Sequence, residues 1–406
     1  MHRKKIVLFL GEAVSLAHVA RPAALARMLD PERHDIHLAC DERYRSLLHL
    51  PSHIRFWPIQ SSQSDTFTKG SDRGGFVWQP KEIEQFVREE IALFEQVRPD
   101  LIVADFRFSV CISAESRGIP YATLVNAYWS PHRQLGFNPV PEWPLSVRIR
   151  QRLARLLQPW KKSGVTAATN VVREAYGLPP LKGFLDLVTR GTYTLYPEPP
   201  GLIPTEPLPA SHRFLGAVLW SPEIPKPAWW RKWDPDRPLL YVTLGSTGAA
   251  QRLPAIVRAL RRLPVTVIVA TAGRIKLPAM PDNVFVADYL PGTEICGLAR
   301  GVVCNGGSAT AYQALSQGTP VVGLWSNLDQ YLAMTTIERA GAGLCARASS
   351  DDAETIHALA ARLLQNPAYR AAAGRLATLF HACQAGEHFP AFIDSVTAPG
   401  VRASAT

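Results

Sequence analysis

The 406-residue chain reads as an α/β protein built in two halves, each around a parallel sheet. Three observations carry that reading. Short apolar runs of strand length alternate with amphipathic helical segments, the order expected of β-α-β units. The alternation occurs twice, with a Pro- and Trp-rich span between the two series. The polar, Gly-containing segments follow the ends of the apolar runs, and ligands of open parallel α/β sheets bind outside the carboxyl ends of strands.

KIVLFL (5–10) is the first expected strand. The start MHRKKIVLFLGEA has the basic opening of a secretory leader, but its apolar run is short and Glu12 follows, so a buried strand is expected. DIHLAC (35–40), DLIVAD (100–105) and YATLV (121–125) read as further buried strands. ARPAALARMLD (20–30) and QFVREEIALFEQV (85–97) read as the helices between them. From 217 the rhythm changes: AVLWSPEIPKPAWWRKWDPDRP holds five prolines and four tryptophans without a clear period, and reads as a linker. A second series follows, with strands in PLLYVTLGS, VTVIVAT, NVFVADYL, GVVCNGG and TPVVGLW and helices in LPAIVRALRRL and ATAYQALSQG. The expected division is an N-terminal domain over 1–217, a linker over 218–235, a C-terminal domain over 236–385 and a tail over 386–406 that frays after about 395.

Hydrophobic content of 47% and charged content of 19% are those of a globular chain. No run of about 18 uncharged apolar residues occurs, so no membrane-spanning helix is expected. Cys40, Cys111, Cys296, Cys304, Cys345 and Cys383 are scattered, none in a C-x-x-C pair, and read as small buried hydrophobes in a reducing cytoplasm. No metal site is expected. The net charge of +10 points to anionic partners. LSVRIRQRLARLLQPWKK (145–162) reads as an amphipathic basic helix, either packed on the core or lying on an anionic membrane face. Nucleic acid is not expected, because no nucleic-acid motif is present.

Five places carry candidate chemistry. GSTGA (245–249) follows a strand and precedes a helix, where backbone N–H groups bind phosphate; Gly245, Ser246 and Thr247 form it. NGGSAT (305–310) has the same layout, and the two loops together can clasp a diphosphate. Thr310 would donate to phosphate or cap the helix. Asp329 and Gln330 suit vicinal hydroxyls, with Asp329 as an N-cap for the following helix as the alternative. His18 begins a helix just past the first strand and suits general-base work, or is a surface residue. Asp105 ends the strand LIVAD on the same rim, where a carboxylate could fix the imidazole tautomer.

Taken together, these residues resemble the GT-B fold UDP-glycosyltransferases, especially the bacterial macrolide- and flavonoid-type enzymes. NGGSATAYQALSQGTPVVGLWSNLDQ is similar to the family's H-G-G-x-G-T…E-A-L…G-x-P…P…D-Q signature, and YVTLGS, NVFVADYLP, AHVARPAALARML, HDIHLAC and VADF resemble further family segments. The resemblance implies a GT-B fold of two Rossmann-like β/α/β domains facing each other across a cleft. It implies an inverting, metal-independent transferase of the hexosyl-transferring class that uses no cofactor. His18 would be the base and Asp105 its partner. Gly245, Ser246, Thr247, Asn305, Gly306, Gly307, Ser308 and Thr310 would surround the donor diphosphate. Tyr289 would stack on the base with Leu290 contacting it through its backbone, Gln313 would stand near the ribose, and Asp329 and Gln330 would bind sugar hydroxyls. The chain departs from the pattern at Asn305, where the family has a phosphate-binding histidine, and at Gln313, Gly292, Ala17 and Pro22.

The implied partners are a UDP- or TDP-sugar and a hydrophobic hydroxylated small molecule or lipid, in the cytoplasm, with peripheral contact at an anionic membrane through 145–162. The segments 61–75 and 128–143 are expected to line the acceptor pocket. Three alternatives stand beside this reading: a membrane-surface glycolipid or N-acetylglucosaminyl transferase, a sugar-nucleotide 2-epimerase of the same fold, and an inactive homologue serving as a partner protein.

Overall fold

A computed structural model of the protein describes residues 3–62, 78–134, 164–278, 280–348 and 353–397. The basic segment 145–162, residues 63–75 and residues 135–143 lie outside them.

The chain forms two compact units. The first comprises Met1–Arg45, Leu50–Val218 and Cys383–Thr406, and the second Ser46–His49 and Leu219–Ala382. In the first unit, strands β1 (Lys5–Gly11), β2 (His34–Cys40), β3 (Ile54–Pro58), β4 (Leu101–Asp105), β5 (Tyr121–Leu124), β6 (Tyr193–Tyr196) and β7 (His212–Phe214) form one parallel sheet in the order β3-β2-β1-β4-β5-β6-β7. In the second, β8 (Leu239–Thr243), β9 (Thr266–Ala270), β10 (Val284–Ala287), β11 (Gly301–Cys304), β12 (Val321–Trp325) and β13 (Gly343–Arg347) are ordered β10-β9-β8-β11-β12-β13. All pairings between these strands are parallel. Parallel sheets covered by helices on both faces bury their strands, so the strands are near-continuous apolar runs. Leu101–Asp105, Leu239–Thr243 and Thr266–Ala270 are buried at every position.

The strand order fixes where chemistry can sit. In each sheet the order reverses beside a first strand, between β1 and β4 in one unit and between β8 and β11 in the other. Chains leaving neighbouring strands there diverge and open a crevice. Gly11 pairs with Asp105 at the first switch point, and Thr243 with Cys304 at the second.

Two boundaries differ from expectation. Residues 219–235 belong to the second unit, where Trp229 donates through Nε1 to the Val286 carbonyl at 3.2 Å and its ring lies 5.4 Å from that of Phe285. The tryptophans thereby cover the edge strand β10, whose unpaired groups would otherwise be open. The segment read as a tail is the helix Ala385–Thr397 of the first unit. Phe389, Phe392 and Ile393 recur at helical spacing, all buried, and the Phe389 ring lies 5.9 Å from that of Phe9 in β1. That helix is therefore part of the first core. Replacing Phe389 by alanine should cost about 3–5 kcal/mol, as for other fully buried phenylalanines. Urea unfolding followed by tryptophan fluorescence measures it, and an unshifted first transition would contradict the packing.

Candidate active site

The first cluster is built at the β1/β4 switch point. Helix α1 (Ala17–Ala26) follows β1 closely. A Cβ at Gly11 would stand 2.8 Å from the His18 carbonyl oxygen, so glycine is what lets α1 approach the strand end. His18 is the second residue of α1, and its Nδ1 lies 2.8 Å from Asp105 Oδ1. Asp105 has no exposed surface, whereas the His18 side chain keeps 22% of its own. A proton on Nδ1 would be donated to Oδ1 at that distance and would leave Nε2 with its lone pair.

Asp105 has a second partner that sequence reasoning missed. Arg21 donates through Nε to Asp105 Oδ2 at 2.7 Å and through Nη2 to Oδ1 at 2.8 Å. Its Nη2 also lies 3.0 Å from His18 Nδ1. The one available signal was spacing: residues three apart share a helix face. Phe106, also missed, stacks on the His18 ring at 4.5 Å between centroids and 15° between planes. Its φ of 55° is a left-handed value that is strained for a bulky residue. Further ring contacts run from Phe106 to Phe108 at 4.5 Å, from Phe108 to Trp78 at 5.3 Å and from Phe108 to Phe184 at 6.3 Å. The side of His18 thus adjoins an aromatic wall.

The second cluster lies at the β8/β11 switch point. Gly245, Ser246 and Thr247 follow β8, and Asn305, Gly306 and Gly307 follow β11. Asn305 joins the two loops: its Nδ2 donates to Thr247 Oγ1 at 3.4 Å, and its Oδ1 accepts from the Gly307 N–H at 3.3 Å. Helix Ser308–Ser316 begins immediately after, with Gly307 as its N-cap and no side-chain capping bond. Thr310 is therefore inside the first turn and is not the cap. The helix dipole makes this end attractive to an anion. Gly306 has a φ of 80°, and a Cβ there would meet Met334 Cγ at 2.8 Å.

Tyr289 donates through its hydroxyl to the Ala272 carbonyl at 3.1 Å, which seats its ring beside Gly273. Leu290 is buried. The neighbouring Arg274 donates through Nη1 to the Gly248 carbonyl, tying the 271–274 loop to GSTGA. Gln313 donates through Nε2 to the Trp220 carbonyl, and this hydrogen bond fastens the 219–235 segment. Asp329 is not the N-cap either. Asn327 caps helix Leu328–Arg339, accepting from the Gln330 N–H at 3.1 Å, and Asp329 sits in the first turn. Gln330 is buried, and its Oε1 accepts from the Ser326 N–H at 2.8 Å and from the Ser326 hydroxyl at 3.2 Å.

The six cysteines are free, and all but Cys345 are buried. Burial pushes the thiols of Cys40, Cys111, Cys304 and Cys345 up to about 12, so they stay protonated and inert at neutral pH. Among the described residues no helix is long and apolar enough to cross a membrane.

Two parallel sheets of this order, each carrying polar loops at its switch point, make up the architecture of GT-B glycosyltransferases. The erythromycin biosynthesis protein CIII-like C-terminal domain family matches residues 254–383. A PGL/p-HBAD biosynthesis glycosyltransferase of Mycobacterium tuberculosis is 42% identical over 398 residues, covering 97% of this chain and 92% of its own. A PGL/p-HBAD biosynthesis rhamnosyltransferase of Mycobacterium bovis is also 42% identical, covering 97% and 88%. A relative named as an inactive glycosyltransferase of that biosynthesis is 39% identical over 64% of this chain. Among solved structures, the spinosyn forosaminyltransferase SpnP has a TM-score of 0.70 at 18% identity, covering 98% of this chain and 100% of its own. The spinosyn rhamnosyltransferase SpnG complexed with thymidine diphosphate has a TM-score of 0.68 at 18% identity, covering 97% and 99%. At such identities the structural likeness is one of fold. The chain belongs to the GT-B glycosyltransferase family of these mycobacterial relatives, and it is a glycosyltransferase.

Gly306→Ala should lower stability by about 1–3 kcal/mol through the positive φ and the Met334 contact together. A thermal melt of Gly306→Ala and of Gly306→Ala with Met334→Ala separates the two, since the second change removes the contact and leaves the backbone strain. An unchanged melting temperature in the single variant would contradict the geometry.

Proposed function

We propose that this chain transfers a sugar, with inversion at the anomeric carbon, from a TDP- or UDP-sugar to a hydroxyl of a hydrophobic acceptor. The observation that carries the reading is the His18–Asp105 pair at the β1/β4 switch point, with its 2.8 Å contact and a His18 side chain that keeps 22% of its surface. Nε2 removes the acceptor proton as the oxygen attacks. Asp105, buried beside Nδ1, stabilises the imidazolium that results. The bond between the anomeric carbon and the donor's diphosphate oxygen breaks, and the nucleoside diphosphate leaves.

The second unit binds the donor. The helix end at 308–316 and the loops 245–249 and 305–310 supply backbone N–H groups and the hydroxyls of Ser246, Thr247, Ser308 and Thr310 to the leaving diphosphate. This stabilisation needs no metal ion. Tyr289 stacks on the base, and Asp329 contacts sugar hydroxyls. The aromatic wall beside His18 favours a flat or apolar acceptor. The mycobacterial relatives named as rhamnosyltransferases and the SpnG complexes with thymidine diphosphate and with spinosyn aglycone favour a TDP-deoxysugar and a hydrophobic aglycone. The intact His18–Asp105 pair favours activity over the silent role of the relative named inactive.

The test is nucleoside diphosphate release from TDP- and UDP-sugars against phenolic and lipid acceptors. We expect acceptor-dependent release that survives chelation of divalent ions and that falls by about 10²-fold or more in His18→Ala. No turnover with any pair, or parental turnover in His18→Ala, would sink the reading. The Asn305→His variant adds a group that can carry charge beside Thr247 and should change the donor Kd; an unmoved Kd would remove Asn305 from the diphosphate site.

A further inference from the structure

The guanidinium of Arg21 is buried at the back of the proposed base, where no proton needs to pass. Its Nε and Nη2 face the two oxygens of Asp105 at 2.7 and 2.8 Å. Its Nη1 donates to Asn126 Oδ1 at 3.0 Å. Asn126 Nδ2 in turn donates to Glu198 Oε2 at 2.5 Å, and Glu198 also accepts from the Ala127 backbone N–H. Asn126 follows β5 and Glu198 follows β6. Asp105, Arg21, Asn126 and Glu198 are all buried. The run of contacts from His18 to Glu198 therefore ties together the ends of four neighbouring strands, β1, β4, β5 and β6.

The geometry has a consequence for charge and one for orientation. Arg21 alone would cancel the negative charge that Asp105 holds for the imidazolium. Glu198 brings a second carboxylate to the same run of contacts, reached through Asn126. Orientation is then the distinct contribution of Arg21. A carboxylate bonded only to an imidazole can turn about its Cβ–Cγ bond. A planar fork bonded to both oxygens holds it in one plane, and a lysine ammonium lacks that fork.

We propose that Arg21 is a positioning residue for the glycosyl transfer, holding Asp105 in the plane that keeps the His18 Nδ1–H directed at Oδ1 and Nε2 directed at the acceptor hydroxyl. This rests on the reading of His18 as the base. It predicts a defect in turnover and not in binding, because Arg21 acts through Asp105 and His18.

The experiment is steady-state kinetics of the full chain with TDP-rhamnose and the phenols of the acceptor panel, in the parent, His18→Ala, Arg21→Gln and Arg21→Lys. In Arg21→Gln, kcat should fall by about tenfold or more while the KM values for donor and acceptor stay within about twofold. Guanidinium ion, added below denaturing concentration, should restore part of the lost kcat in Arg21→Gln. Arg21→Lys retains the charge and the aliphatic stem, which protects folding, and should still show the kcat loss. Parental kcat in Arg21→Gln or Arg21→Lys, or a loss confined to KM, would overturn the inference while a dead His18→Ala leaves the base intact. Parental activity in His18→Ala, or no turnover by the parent with any pair, would overturn the base and this inference together.

Discussion

Asp105 is a carboxylate with no solvent-exposed surface at the end of a central strand. Burying such an ion costs several kcal/mol unless charge and hydrogen bonds meet it from the protein side. Much of the first unit's local design answers that requirement. The sheet order sets β1 beside β4, so the helix leaving β1 starts within reach of the carboxylate. Gly11 removes the Cβ that would hold α1 away. His18 and Arg21, on one face of that helix, then meet both oxygens. Arg21 brings its own desolvation cost, which Asn126 and Glu198 at the next two strand ends offset. Removing one member leaves a buried charge without its partner, and such losses cost more than the net worth of the pair.

The second unit solves the opposite problem. Instead of satisfying a buried charge, it leaves donors ready for an anion from outside. Its sheet core includes Val242, Val267, Val269, Val303 and Val322, and the loops of interest lie where β8 and β11 end. There Asn305 acts as a strut, accepting from Gly307 and donating to Thr247, so that two Gly-containing loops hold one shape. A histidine at that place could carry positive charge; the asparagine cannot. The positive character of the loop pair then comes from the dipole of helix Ser308–Ser316 and from Arg274, bonded to the Gly248 carbonyl.

Legibility in the sequence followed burial. KIVLFL, LIVAD, YVTL and GVVC were readable because strands buried on both faces are unbroken apolar runs. His18, Asp105 and the two glycine loops were readable because they follow such runs, where ligands of parallel sheets gather. The short β7 and the half-exposed β13 carry no such signal. The helix Ala385–Thr397 was hidden by Ala and Gly residues that suggest fraying, although Phe389, Phe392 and Ile393 recur at helical spacing. Arg21 and Asp105 are 84 residues apart, and Asn126 and Glu198 are 72 apart. A basic residue on a helix reads as a solvated one until the fold brings its carboxylate.

Two departures from the family pattern, Gly292 and Gln313, turn out to be one arrangement. A Cβ at Gly292 would stand 2.8 Å from Gln313 Oε1, so the absence of a side chain at 292 makes room for the amide at 313. That amide then donates to the Trp220 carbonyl, and the Gly292 N–H donates to Ser221 Oγ. Both positions are thus engaged in holding residues 220–221 against helices Gly292–Leu298 and Ser308–Ser316. A larger residue at 292 would have to displace Gln313, and a shorter one at 313 would release Trp220. The two departures thus belong to one set of contacts.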